Sequence, residues 1–367
     1  MKKVAINTRF LIKNKLEGFG WFTYYTAKYL VENNPDVQFY FLFDRKFDEQ
    51  FIFGDNVTPV VLFPQARHPI LFRWWFDYSV TRFLKRKNID LFISPDGYLS
   101  LRTLVPQIAV IHDLNFEHYP GDLKPHHANY LRKYFPLFAV KACHIVTVSE
   151  FSKDDIVRTY DIEPRKISVA YNGVNSTYNQ SPNVVVDSED PYFLFVGSIH
   201  PRKNLKRLML AFDAFMSVHE SNFRLLIVGD PYFWTDEMKS TLDNLRFKSF
   251  IDFKPYASVD DLKRYYQQAV ALMFVSYFEG FGIPVVEAMA CGCPVVVGIN
   301  TACDEIAGTA AHKVNPFDIQ EITEAMNLLA SNHVYRLRLI DAGLERCKSF
   351  TWDRTGSVLN HVMHEFL

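Results

Sequence analysis

Ala271–Pro294 reads ALMFVSYFEGFGIPVVEAMACGCP, and the run PVVVG continues from its last residue to Gly298. ALMFVS is apolar throughout and too short for a helix, so it reads as a strand buried on both faces. A glycine-containing loop follows. Pro284 suits the first turn of a helix, where a missing N–H costs nothing. PVVVG is then a second apolar strand. Strand, loop, helix and strand in so few residues is the repeating unit of a parallel sheet, which predicts an α/β fold.

The same alternation extends in both directions. YFLFVGS, FRLLIVGD and IDFKPY precede the quoted stretch and HKV follows it, with helices at Leu205–Phe215 and Asp260–Gln268. An earlier series comprises VAINTRFL, VQFYFLF, VTPVVLF, LFIS, QIAVIHD, HIVTVS and ISVAYNGV. Its helices are expected at Trp21–Glu32, Asp122–Lys141 and Glu150–Tyr160, the last capped by Ser149. Between the two series, Asn179–Pro191 (NQSPNVVVDSEDP) is polar, acidic and proline-punctuated, and reads as a linker. The predicted organisation is a domain over residues 1–178, a second over 190–349, and an amphipathic helix over 350–367 placed to pack back on the first. Two doubly wound, Rossmann-like parallel-sheet domains facing across a cleft would bind ligand beyond the carboxyl ends of their strands.

Composition bounds the function. A chain of 367 residues, 49% hydrophobic and 22% charged, has material for two cored domains. Cys143, Cys291, Cys293, Cys303 and Cys347 are scattered and odd in number, which fits buried thiols in a reducing compartment better than disulfides. MKKVAINTRFLI starts like a signal peptide, but Asn7, Thr8 and Arg9 interrupt it and no cleavage site follows. No apolar run approaches the roughly 20 residues of a membrane span, so a cytoplasmic chain is expected. Residues 1–175 carry 23 Lys+Arg against 18 Asp+Glu, and residues 176–367 carry 17 against 23. That asymmetry is too mild for a nucleic-acid partner.

Three constellations carry chemistry. In Glu17-Gly18-Phe19-Gly20-Trp21 the glycines let backbone N–H groups approach a phosphate at a helix N-terminus, although a plain tight turn has the same appearance. Val196–Asn204 (VGSIHPRKN) leaves a strand through Gly197 and places Arg202 and Lys203 at a helix start. Two cations there oppose the helix dipole, and no acidic neighbour is evident in sequence. An anionic ligand such as a diphosphate resolves the conflict; a solvated basic turn is the bland reading. In EGFGIPVVE, Glu279 stands on a loop at a strand's carboxyl end. Glu287 lies one turn inside a helix, able to accept from a ribose diol, and helix caps are the alternative.

Glu279 and Glu287, with seven residues between them, resemble the paired-glutamate motif of the group 1 (family 4) retaining glycosyltransferases of GT-B architecture. PRKN and the segment VIHDL (Val110–Leu114) resemble other signatures of that family, and NTRFL followed by EGFGWFTYYTAKYL its N-terminal phosphate loop, as in mannosyltransferase-like members. The likeness runs from residue 4 to about residue 350, with two departures: Val275 stands where proline commonly precedes the serine, and Asp304 replaces the proline before Glu305.

The resemblance implies His112, Glu279, Arg202 and Lys203 as catalytic residues. Arg202 and Lys203 would grip a donor diphosphate and Glu287 its ribose. Glu279 would meet the transferred sugar, helped by backbone N–H groups from Gly280, Phe281, Gly282 and Ile283. Gly18 and Gly20 would close over the diphosphate, with Gly197 lining it, and the base would lie near Ile251–Tyr256. The implied reaction is retaining transfer of a hexose, mannose-like by preference, from a nucleotide-diphosphate sugar to a glycan or lipid-linked acceptor in cell-surface polysaccharide synthesis. A GDP-sugar is preferred to a UDP-sugar. No DxD cluster stands at a strand end, so neither a metal nor a further cofactor is required. A nucleotide-sugar isomerase of the same build and a catalytically silent binding subunit are the rival readings. Leu71–Lys87 (LFRWWFDYSVTRFLKRK) joins aromatics to five cations. It suits either an anionic membrane at the inner face or a core-packed helix with a basic outer side.

Overall fold

The apolar runs become two parallel sheets in the computed structural model, which describes residues 1–66, 68–180, 191–219, 222–230 and 234–367. The first sheet holds β1 (Lys3–Asn7), β2 (Gln38–Phe43), β3 (Val57–Val61), β4 (Leu91–Ser94), β5 (Gln107–Val110), β6 (His144–Thr147) and β7 (Ile167–Val169). Their order is β3-β2-β1-β4-β5-β6-β7. The second holds β8 (Tyr192–Val196), β9 (Arg224–Val228), β10 (Ile251–Lys254), β11 (Ala271–Phe274), β12 (Val295–Gly298) and β13 (His312–Val314), in the order β10-β9-β8-β11-β12-β13. All pairings are parallel; Asn7 lies opposite Leu42 and Leu272 opposite Val295. Each sheet winds one way from its first strand and then returns past it, so β1 and β4, like β8 and β11, part at a topological switch point.

The chain divides into a unit of Met1–Gly173 with Thr351–Leu367, and a unit of Val174–Phe350. Most of the sequence-predicted linker, residues 181–190, lies outside the described residues. In the first unit the terminal helix Trp352–Glu365 packs on the helix Gly18–Asn33, with Trp352 stacked on Tyr25 at 4.7 Å and Asn34 donating to Asn360. The Glu150–Tyr160 helix falls where the periodicity predicts it, and Ser149 Oγ accepts from the Ser152 N–H as its cap. Cys291, Cys293 and Cys303 are free and buried, behaving as small apolar groups.

The run expected as one helix over 71–87 is a composite: α-helix over Pro69–Trp74, a π turn over Trp75–Val80, and α-helix again over Thr81–Lys87. Phe72, Trp75, Phe76, Val80, Phe83 and Leu84 enter the core of the first unit. The two tryptophans part company, since Trp75 is fully buried while Trp74 is exposed. Among the described residues no helix is long and apolar enough to cross a membrane.

Candidate active site

In the second unit, β8 is followed by Gly197, whose φ of 139° is one that side chains rarely adopt. A Cβ on Gly229, at the end of β9, would stand 1.9 Å from the Gly197 carbonyl oxygen, so the two strand exits approach as only glycine permits. The chain then makes a 3-10 turn over Pro201–Lys203 and breaks at Asn204, left-handed at φ 61°, before the helix Leu205–Val218. Asn204 Nδ2 donates to the carbonyls of Val275 and Pro316, fastening this turn to the exit of β11.

The two cations have an anion after all. Arg202 donates to Glu279 Oε2 at 2.7 Å and to the Phe278 carbonyl, and Lys203 Nζ lies 2.6 Å from Glu279 Oε1. Lys203 also sits 4.4 Å from the centre of the Phe274 ring. Burial alone would push the Glu279 carboxyl up, but Arg202 and Lys203 outweigh it and hold its pKa below the usual value. Burial pulls Lys203 down, and Glu279 limits that fall. His200, a residue sequence reasoning passed over, accepts from the Arg202 N–H; burial and the two cations press its pKa to about 4, so the ring is neutral. One carboxylate thus serves two cations.

Gly280, Phe281 and Gly282 form the loop after β11, and Ile283 opens the helix Ile283–Ala290 with Pro284 in its first turn. Gly282 caps that helix at φ 97°, and a Cβ there would strike Cys303 Sγ at 2.6 Å. Glu287, a turn further on, accepts from Tyr266 Oη at 2.9 Å. Burial raises its pKa to about 7 against the hydrogen bonds of Tyr266 and Tyr178. Asp304 lies in the first turn of the Ala302–Ala307 helix, ion-paired with Lys313. The Ile251–Tyr256 stretch supplies β10, the edge strand.

In the first unit Gly18 and Gly20 do not precede the helix, as the glycine pattern suggests, but form its first turn; Gly20 packs under the Phe10 carbonyl and Leu16. His112 follows β5 and is enclosed by the ring edges of Phe19 at 4.6 Å and Phe22 at 5.0 Å. Its Nε2 lies 2.8 Å from the Pro95 carbonyl, which only accepts, so Nε2 carries the proton. Burial lowers the ring's pKa. The neutral imidazole is left with Nδ1 as its acceptor.

Pro95 is held by a pair that sequence reading missed. Asp96 receives Arg9 Nε at 2.6 Å, Asn7 Nδ2 at 2.9 Å and Ser94 Oγ at 3.0 Å. Arg9 is enclosed by the rings of Phe10, Phe72, Phe76 and Tyr98. In the sequence Arg9 stands out only as an interruption of an apolar run and as part of NTRFL, and neither points to Asp96. Among the described residues no group of three or more His, Cys, Asp or Glu side chains is arranged to hold a metal.

Two doubly wound units with polar clusters at their strand exits define the GT-B class. Sucrose-phosphate synthase from Thermosynechococcus elongatus matches with a TM-score of 0.79 at 14% identity, over 100% of this chain and 99% of its own. WaaG, a glycosyltransferase involved in lipopolysaccharide biosynthesis, matches with a TM-score of 0.76 at 14% identity, over 98% and 99%. Sequence narrows the class. Residues 16–178 match the family described as Glycosyltransferase Family 4, and residues 178–346 the glycosyl transferases group 1. The chain belongs to the group 1, family 4 glycosyltransferases. It is 33% identical over 217 residues to the O-antigen chain mannosyltransferase RfbU of Salmonella typhimurium, a match spanning 58% of this chain and only 57% of that protein. The O-antigen chain mannosyltransferase B of Escherichia coli is 26% identical over 275 residues, 72% of this chain and 71% of its own.

Proposed function

We propose that the protein transfers a hexose, with retention, from a nucleotide-diphosphate sugar to a glycan or lipid-linked acceptor. The observation that carries the reading is the convergence of Arg202 and Lys203 on Glu279 at the exits of β8 and β11, in a chain of this family. Mannose is the preferred sugar because both relatives described above are mannosyltransferases of O-antigen chains, which also points to cell-surface polysaccharide. A GDP-sugar is preferred on the same ground, and work at the cytoplasmic face of the membrane follows from such acceptors.

The chemistry runs as follows. Departure of a nucleoside diphosphate builds charge on the β-phosphate; Arg202, Lys203 and the N–H groups at Gly282–Ile283 face that charge in a fixed arrangement. Glu287 accepts from the ribose hydroxyls. Glu279, already engaged by two cations, is a poor nucleophile and orients the sugar. The acceptor therefore attacks from the leaving-group side of an oxocarbenium-like centre, and the departing phosphate oxygen takes its proton. His112, neutral and with Nδ1 accepting, orients a sugar hydroxyl; Gly18, Gly20 and Gly197 serve the phosphates.

A panel of nucleotide sugars tests this, read first by thermal shift and then by turnover with an acceptor glycan. GDP-mannose is expected to raise the melting temperature most and to be consumed only when acceptor is added. Donor epimerised or hydrolysed without acceptor would instead indicate an isomerase. Stabilisation without any turnover would indicate a silent binding subunit.

A further inference from the structure

We infer that the first unit docks on an anionic lipid bilayer through the outward face of its Pro69–Lys87 run, with a lipid phosphate held in a cavity beside β3. This goes beyond the transfer reaction and stands independently of it.

The face is a single row. Ile70, Trp74, Tyr78, Arg82 and Arg86 recur every fourth residue, and all five are exposed. Such a row drifts around an α-helix by about 40° per step. The wider π turn over Trp75–Val80 drifts the other way and brings the row back into line. Trp74 is 54% exposed and stacks on Tyr78 at 4.8 Å, while Arg102 lies 4.3 Å over the Tyr78 ring. Two residues on, Leu104 is 95% exposed.

The charge on this face is of one sign. The only acid in the run, Asp77, is buried; it accepts from the Leu101 N–H and faces Arg73. Arg82, Lys85, Arg86 and Lys87 have no ion pair among the described residues. Attraction to the helix C-terminus accounts for cations in the last turn. It does not account for Arg82, nor for an exposed tryptophan in the same row.

Arg82, Arg86 and Lys87 line a cavity of about 440 Å³ between the helix and β3. Tyr40 and Phe83, with ring centres 5.6 Å apart, form its aromatic wall. Phe63, 74% exposed, stands at its rim, and its carbonyl is tied to the helix by the Ser79 hydroxyl. Cations beside an aromatic wall suit a phosphate that carries an apolar tail. Tryptophan, tyrosine and isoleucine along the same face suit the boundary between headgroups and acyl chains. A nucleic acid would satisfy the cations and leave Ile70 and Leu104 without a partner.

The test is sedimentation of the full chain with vesicles. Phosphatidylcholine mixed with phosphatidylglycerol should carry the protein down, phosphatidylcholine alone should not, and high salt should release it. Arg82→Gln with Arg86→Gln should weaken binding about thirtyfold with an unchanged melting temperature, at the usual contribution per surface cation. Trp74→Ala should weaken it as well, which a purely electrostatic association would not show. Equal binding to neutral vesicles, no binding to either, or equal binding by the double variant would overturn the inference. So would a dimer in sedimentation velocity that Trp74→Ala dissolves, because the face would then belong to a second copy.

Discussion

Two buried ion clusters stand at strand exits, one in each unit, and they differ in charge balance. In the first unit one cation meets one anion: Arg9 and Asp96 expose 5% and 3% of their side chains. In the second, Arg202 and Lys203 share the single carboxylate of Glu279. A balanced pair sealed by aromatic rings has satisfied its electrostatics and has nothing left to offer a ligand. The second cluster is not sealed in this way, since Arg202 and Lys203 expose 22% and 10% of their side chains. It therefore holds a cation, Arg202, within reach of an anion arriving from solvent. The first cluster is therefore read as architecture and the second as site.

The sharpest way to break this contrast is to unbalance the pair that is balanced. Asp96→Asn keeps the shape but strands a buried guanidinium, and should cost about 3–5 kcal/mol of stability. The midpoint of urea unfolding measures it. Adding Arg9→Met, which removes the stranded charge, should restore most of the loss. A cost below about 1 kcal/mol for Asp96→Asn would mean that Arg9 finds solvent or another partner, and the contrast would fail.

Lys203→Ala should do the reverse. Glu279 keeps Arg202, so the fold survives, while one charge-assisted phosphate contact disappears. Turnover at saturating donor should fall ten- to a hundredfold, about 1.5–3 kcal/mol. Unchanged turnover would remove the diphosphate role.

Both clusters were hidden in the sequence for the same reason. Arg202 and Glu279 are 77 residues apart and Arg9 and Asp96 are 87 apart. They meet because β8 neighbours β11 and β1 neighbours β4, an order that no local pattern encodes. The ligand argument from Arg202 and Lys203 assumed that no anion stood near; Glu279 was already named, but for the sugar. What was legible was local: the strand–loop–helix over ALMFVSYFEGFGIPVVE, the helix start at Pro284, the cap at Ser149. The Gly18–Asn33 helix begins before the predicted Trp21 because glycine's helix penalty, about 1 kcal/mol, is overridden by packing against Phe10 and Leu16. The π turn in Pro69–Lys87 left no trace in the α-helical period.

A finer test uses Glu287. Burial keeps its proton up to about pH 7, against 4.5 for an unperturbed carboxyl. The folded state thus binds the proton more tightly than the unfolded one. The stabilisation this brings is complete below pH 4.5 and is lost as the pH rises to about 7. Ribose hydroxyls need the ionised acceptor, so donor affinity should rise with pH across the same region and level off above it. Calorimetric titration at several pH values measures this directly. Glu287→Gln should flatten the profile and bind a 2′-deoxy donor nearly as well as the ribose donor. A mutant that discriminates against the 2′-deoxy donor as strongly as wild type would sink the ribose assignment.

The smallest expected effect is none. If Arg202 and Lys203 mark the site, those cations and the N–H groups at Gly282–Ile283 supply the positive field that a divalent ion provides in other phosphate chemistries. EDTA should then leave the rate unchanged. The same cluster constrains stereochemistry, because Glu279 is neutralised by two cations and Glu287 is hydrogen-bonded by Tyr266, so neither is free to act as a covalent nucleophile. On the proposed roles, retention is expected to come from attack on the leaving-group face, with the departing phosphate as base. Proton NMR of the first-formed product reads the anomeric coupling before mutarotation. Inverted product would require an enzymic base on the opposite face of the sugar. Activity abolished by EDTA and restored by magnesium would transfer the diphosphate's charge to a metal, and the two-to-one cluster would lose its claim to be the site.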